Sequence, residues 1–282
     1  MSGPRIGLRI LKDRVFRVVV ISLSLSSMVP LFLILFYIMK NGLSSLNWEF
    51  FTEIARPVGE KGGGIASAMV GSSLLLIIAS LPSIPLGIAG GIYLSEHKAG
   101  KLSYLGRLAV EVLQGIPSIV IGIIAYLWLV VRMGRFSALS GGIALGIMML
   151  PVIVKAAEET LKLVPDSLKE ASLALGVPYY RTVLRVVLPA SLSGITTGVL
   201  IGIARVTGET APLLFTALGN AFMNWNIIKP VDALPLLIYN YATSPYPEWH
   251  RVAWGASCVL VGFVLVLNLV ARIIVRRWKV QF

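Results

Sequence analysis

Charge is scarce in this sequence, cysteine and histidine are nearly absent, and no nucleotide-binding loop can be found. Only 13% of the 282 residues are charged, about half the roughly 25% of an ordinary soluble domain, which excludes a globule surrounded by water. The one cysteine, Cys258, lies inside an apolar segment, so an internal disulfide is excluded and the redox compartment is left unmarked. The two histidines, His97 and His250, are far apart and no cysteine cluster accompanies them, which argues against a metal site. The triple glycine Gly62-Gly63-Gly64 is followed by neither Lys-Ser nor Lys-Thr. The chain therefore lacks the phosphate-cradling loop needed to hydrolyse ATP alone. No cleavable signal peptide is evident, because the first apolar run is too long and no small-residue cleavage site follows it.

What is present is apolar surface, with 56% of residues hydrophobic. About 20 helical residues cross the hydrocarbon core of a bilayer, and runs of that order recur along the chain. They predict an all-α polytopic membrane protein with six transmembrane helices, at about 18–39, 66–94, 109–131, 138–154, 193–215 and 254–275, after a basic tail at 1–17. Ser22, Ser24, Ser26 and Ser27 are tolerable in the first span because each can bond back to a helical carbonyl, and Pro30 predicts a kink. A short amphipathic helix is expected near Leu46 to Ile54, and the triple glycine reads as a hinge into the second span. Pro82 and Pro85 are expected to interrupt that span, while Gly87, Gly90 and Gly91 permit close helix contact. The third span opens on Glu111, Gln114, Pro117 and Ser118, which reads either as part of a substrate gate or as a kinked helix start. A long outer loop, 218–251, could lie along or dip into the membrane face over Val231 to Tyr241.

The net charge of +12 would suggest nucleic acid in a soluble chain. Here the positive-inside rule accounts for it. With the N-terminus in the cytoplasm, inner segments carry seventeen Lys and Arg and outer loops seven. An even number of spans then places both termini in the cytoplasm and the loop at about 155–190 on the same side.

That loop contains Val164 to Pro189, a polar stretch between apolar blocks. Asp166 or Ser167 can cap a short helix with Leu168, Ala171 and Leu175 on one side and Lys169 and Glu170 elsewhere. Gly176 supplies a stop and Pro178 prevents continuation. A second short helix would carry Tyr180, Val183, Leu184 and Val187 on one face, with Arg181 and Arg185 on another. The plain reading is a helix lying on the membrane. However, Glu170, Ala171, Gly176, Leu188 and Pro189 fall at the spacing of the EAA loop of ABC importer permeases, which the stretch resembles; Ser172 stands for the second alanine and Val186 for isoleucine. The resemblance implies a coupling helix docked in a groove of a cytoplasmic ATPase, with Asp166, Glu170, Ala171, Gly176 and Pro189 as its coupling residues.

The remaining basic residue, Arg205, is read as mid-span, with Glu209 one turn later on the same face and Thr207 and Thr210 beside them. A charge at the bilayer centre costs roughly 2.5–3.5 kcal/mol on insertion scales, so the pair must face protein or a watery path. It reads either as a buried ion pair that locks helices or as an oxyanion attractor, the planar guanidinium matching two oxygens of a phosphate-like group. In the second reading Glu209 orients Arg205 and keeps the anion from being trapped.

The run from Ala204 to Ala217 is similar to the fifth-helix signature of the PstA permease family of phosphate importers. So are Gly115-Ile116-Pro117-Ser118-Ile119-Val120, Pro85-Leu86-Gly87-Ile88, Tyr93-Leu94-Ser95-Glu96 and the run Leu161 to Ala171. The resemblance implies a type I ABC importer permease fold over 18–282 with cytoplasmic coupling helices. It also implies a pathway shared with a homologous second permease, two ATPase subunits that hold ATP and Mg, and an extracytoplasmic phosphate-binding protein. No cofactor is expected on this chain, and nucleic acid is not an expected partner. Substrate-path residues are then Arg205, Glu209, Thr207, Thr210, Lys155, Gln114 and Ser118. Family members often carry arginine at the position of Lys155; lysine keeps the charge without the fork, and it also reads as a snorkelling helix-end residue. The alternatives are a permease for sulfate or molybdate, a passive anion channel, for which an EAA-like loop has no use, and an intramembrane enzyme, for which no nucleophile constellation is present.

Overall fold

The computed structural model describes residues 3–60, 62–97 and 99–277. Lys61, Lys98 and Lys279, counted in the charge tally, lie outside the described residues, as do the side chains of Arg5, Arg276 and Arg277. Helix α1 (Gly3–Gly42) leads into α2 (Trp48–Thr52), α3 (Ala66–Glu96), α4 (Lys101–Gly115) and α5 (Ser118–Met133). Then follow α6 (Ala138–Lys162), α7 (Asp166–Ala174), α8 (Tyr179–Thr207), α9 (Ala211–Thr216), α10 (Leu234–Ala242) and α11 (Pro247–Arg277). α1, α3, α6, α8 and α11 are each long and apolar enough to cross a bilayer. α4 and α5, bent by 103° at Ile116-Pro117, make a sixth crossing when taken as one broken span.

α6 is the hub. Its most apolar window is 67% buried, whereas that of α1 is 0% buried, so that stretch of α1 meets lipid or another chain, while its end packs on α11 through Tyr37 and Trp254. Around α6 the apolar side chains settle in tiers. A central cluster joins Leu145, Met149 and Ile153 to Leu75 and Ala79 of α3 and to Val206, Leu213 and Leu236. A second gathers Phe50, Ile65, Ala68, Leu237 and Val252, and a third Ala157, Leu161, Val164, Val187 and Ile195. Since lipid is as apolar as leucine, close approach of backbones must hold the helices together. A Cβ on Gly91 would stand 2.4 Å from Ala157 Cβ, and one on Gly198 2.2 Å from Ala156 Cβ.

Several boundaries differ from those read in the sequence, each for a local reason. α1 begins at Gly3, so the basic tail is helical; 40 residues make about 60 Å of helix, twice the hydrocarbon thickness, which leaves its charged end outside. Pro82 and Pro85 sit inside an unbroken α3. The triple glycine is a clasp, not a hinge: Gly64 N–H bonds Ile54 O at 3.1 Å, and a Cβ there would lie 2.4 Å from Phe50 O. α6 continues to Lys162, past the expected end at 154, because Glu158 is paired there with Lys162 and Arg107 at 2.6 and 2.7 Å. The fifth crossing starts at Tyr179 and stops at Thr207, where 193–215 was expected. A π turn at Val183–Val187 carries the helix into Pro189, and Gly208 ends it.

The loop at 218–251 does more than lie on the surface. Leu234, Pro235, Leu236 and Leu237 of α10 are buried, and Leu234 N–H bonds Ser72 Oγ of α3 at 2.8 Å. Ala138 N–H bonds Lys229 O at 3.0 Å. Asp232, buried in this loop, accepts from Ala233 N–H at 2.9 Å, yet burial pushes its carboxyl up to about 7.

Two outcomes follow from this packing. Gly91→Leu should lower the unfolding temperature and the yield of folded protein, by overpacking worth about 1–3 kcal/mol; Gly262→Leu, where a Cβ meets nothing within 4 Å, should leave both unchanged. A carboxyl held at about 7 in the fold against 3.8 unfolded binds more protons folded than unfolded, so stability falls as pH rises from about 4 to about 7. Asp232→Asn should flatten that slope in thermal unfolding at stepped pH.

Candidate functional site

Proline and glycine create two breaks in the crossing helices, and the polar residues gather there. Pro117 has no N–H and pushes Ile116 out of the helical region, to φ −70°, ψ 129°. Before the break, half-buried Gln114 donates from Nε2 to Pro151 O of α6 at 3.2 Å. Lys155, four residues on and thus one turn away on the same face of α6, is exposed. After the break, Ser118 opens α5 and is half-buried.

At the second break α8 ends with Thr207, whose buried hydroxyl donates back to Ile203 O at 2.7 Å. Gly208 turns the chain, and Glu209 N–H bonds Val206 O at 3.2 Å before α9 starts at Ala211. Glu209 and Thr210 are half-buried. The two broken crossings pack on one another: a Cβ on Gly122 of α5 would stand 2.7 Å from Pro212 Cα of α9. Irregular backbone at membrane depth is tolerated only where protein covers it or a watery cavity meets it. Discontinuous helices of this kind form ion and substrate sites in transporters.

Arg205 lies in the last turn of α8, not mid-helix, and is exposed. The expected ion pair with Glu209 is not formed. Helix geometry stops at Thr207, so the one-turn relation that would bring the two together is lost. Among the described residues Arg205 makes no salt bridge and no side-chain hydrogen bond. This removes the reading of Arg205–Glu209 as a buried lock within the chain.

Beyond Lys162, where α6 ends, α7 and the start of α8 form the expected knob with a different face inward. Pro165 precedes α7 and no side chain caps it; Asp166 is its first residue. Ser172 is buried and bonds Thr182 across to α8 at 2.9 Å, while Leu168 is half-buried. Glu170, Ala171 and Leu175 face out, Leu175 at 84% exposure. Gly176 takes φ +78° and ends α7. The second short helix is continuous with the crossing, and its π turn rotates the buried set to Thr182, Val183 and Val187. Tyr180 and Leu184 stay exposed, as does Pro189. The expected grouping of Tyr180 and Leu184 with Val183 and Val187 fails because a π turn adds a residue to the repeat.

Pro151, Pro212 and Gly122 were not singled out from sequence; proline and glycine inside apolar runs were the available signal. Residues 83–280 match the family described as binding-protein-dependent transport system inner membrane component. Among similar curated proteins is the phosphate transport system permease protein PstA of Yersinia pestis, 41% identical over 95% of this chain and 91% of that protein. The PstA of Haemophilus influenzae is 36% identical over 87% of each. Among solved structures, an inward-facing conformation of the MetNI methionine ABC transporter shares the fold. Its TM-score is 0.62 at 20% identity, over 76% of this chain and 95% of that one.

Proposed function

The chain belongs to the binding-protein-dependent transport system inner membrane components, and among them to the PstA permeases; on that premise we propose that it is the permease subunit of an ATP-driven importer carrying inorganic phosphate into the cytoplasm. The observation that carries the mechanism is Arg205, a cation in the last turn of a crossing helix, exposed and without a partner among the described residues. Such a group is too costly to face hydrocarbon. It faces a watery path closed by a homologous second permease.

In that path the guanidinium offers a planar fork to two phosphate oxygens. Glu209, beyond the break, keeps negative charge nearby without neutralising the fork, so the anion is attracted and not held. Thr207, Thr210, Ser118 and Gln114 supply hydroxyl and amide groups around the two breaks, and Lys155 marks the route toward the cytoplasmic end.

Both termini and the α7–α8 knob are cytoplasmic. The knob docks on one of two ATPase subunits, which hold ATP and Mg; this chain is a transport subunit and carries no cofactor. Exposed Glu170, Ala171 and Leu175 meet the ATPase, Asp166 and Gly176 bound the docking helix, and Pro189 sets where the crossing leaves it. An extracytoplasmic binding protein delivers phosphate at the outer face. Closure of the ATPases on ATP pulls the knob and opens the path outward.

The test is uptake of labelled phosphate by vesicles containing the whole complex, with sulfate and molybdate as competitors. Uptake should resist both, and Glu170→Lys should cut it at least roughly tenfold by setting a misplaced charge in the docking groove. Preferential uptake of sulfate or molybdate would retain the permease and refute phosphate. Normal uptake by Glu170→Lys would refute the docking role.

A further inference from the structure

One carboxylate at the cytoplasmic end of α3 holds both halves of the docking knob. Lys169 Nζ of α7 lies 2.7 Å from Glu96 Oε1, and the hydroxyl of Tyr179, the first residue of α8, donates to Glu96 Oε2. The side chains of Glu96 and Lys169 are only 8% and 16% exposed. A pair withdrawn from water in this way cannot be cut without leaving a buried charge, unlike an exposed pair, which contributes little.

The same end of α3 is gripped from the other side. Arg107 of α4 donates from Nη2 to Leu94 O at 2.6 Å and to His97 O at 3.2 Å, carbonyls that the end of a helix leaves without partners. Its Nε lies 2.7 Å from Glu158 Oε1 of α6. α4 then runs to Gln114 and the break before Ser118. On α7, Lys169 points inward and its neighbour Glu170 outward, so a push received at one is one residue from the other. The Ser172–Thr182 bond at 2.9 Å makes α7 and the start of α8 move as a unit.

We propose that Glu96 is the positioning residue that passes ATPase-driven motion of the knob to the transport path: Lys169 and Tyr179 tie the knob to the end of α3, and Arg107 carries the displacement into α4 and its break. This rests on the function proposed above. A relay needs stiff elements in unbroken physical contact, and a shared, buried carboxylate provides one. Glu96 touches no substrate; it acts through the helices it joins.

The experiment measures phosphate moved per ATP hydrolysed by the complete complex, with its binding protein, in proteoliposomes. Glu96→Ala should keep the ATPase subunits bound and hydrolysing while the ratio falls by roughly tenfold. Exchanging the charges, Glu96→Lys with Lys169→Glu, should recover most of it relative to Glu96→Lys alone. Tyr179→Phe, which strands no charge, should lower the ratio by about twofold to threefold at unchanged abundance. It decides the matter if Glu96→Ala does not assemble. Wild-type ratios in Glu96→Ala or Tyr179→Phe, or an exchanged pair no better than Glu96→Lys alone, would overturn the relay and leave the function standing. A wild-type complex that hydrolyses ATP and moves no phosphate would overturn both.

Discussion

A charged side chain on a helix that crosses a bilayer must find a partner or water, and among the described residues Arg205 finds no partner. That one requirement orders much of the structure around it. Gly208 ends α8 beside the arginine, and the opposing break at Pro117 keeps a second stretch of irregular backbone near the first through the Gly122–Pro212 contact. Both breaks leave backbone groups that hydrocarbon would not tolerate. In the function proposed above the site is half of something: this chain supplies the cation, the hydroxyls and the breaks, and a second permease the other wall.

Everything outside the site is arranged to keep it in place and to move it. Glycines on α3 and α8 let α6 come close enough to act as a rigid axis, and apolar tiers above and below fix its tilt. At one end α10 is buried against α3, so the long loop covers the helix ends. At the other end the contacts turn ionic: Glu96, Lys169, Tyr179, Arg107, Glu158 and Lys162 join five helices in one polar knot. Apolar contact in lipid has little driving force, whereas a charged hydrogen bond at the membrane edge is directional. The knot is where a pull from outside the membrane can enter it.

Much of this was legible in the residues. Apolar runs located the crossings, and the Glu170–Gly176–Pro189 spacing marked the short helix α7 and the bend that follows it. Arg205 stood out because charge is rare in such a run. What failed were the inferences that assumed helix continuity. Pairing Arg205 with Glu209 required an unbroken turn that Gly208 does not provide, and the face assigned to Tyr180 and Leu184 required a regular repeat that the π turn shifts. Pro82 and Pro85 erred the other way, since a crossing helix tolerates proline where neighbouring helices, Ser or Thr side chains and local adjustment satisfy the freed backbone groups. The knot around Glu96 was illegible for a simpler reason: its members lie as far as 83 residues apart, and no local pattern links them.

The most direct test of the account is phosphate uptake by the complete complex carrying Arg205→Gln, set beside Arg205→Lys and wild type at matched membrane abundance and ATPase content. The account predicts that Arg205→Gln loses uptake by at least roughly tenfold, and that Arg205→Lys, which keeps charge without the fork, falls between the two. Wild-type uptake by Arg205→Gln would contradict it and place the anion path away from the breaks at Pro117 and Gly208.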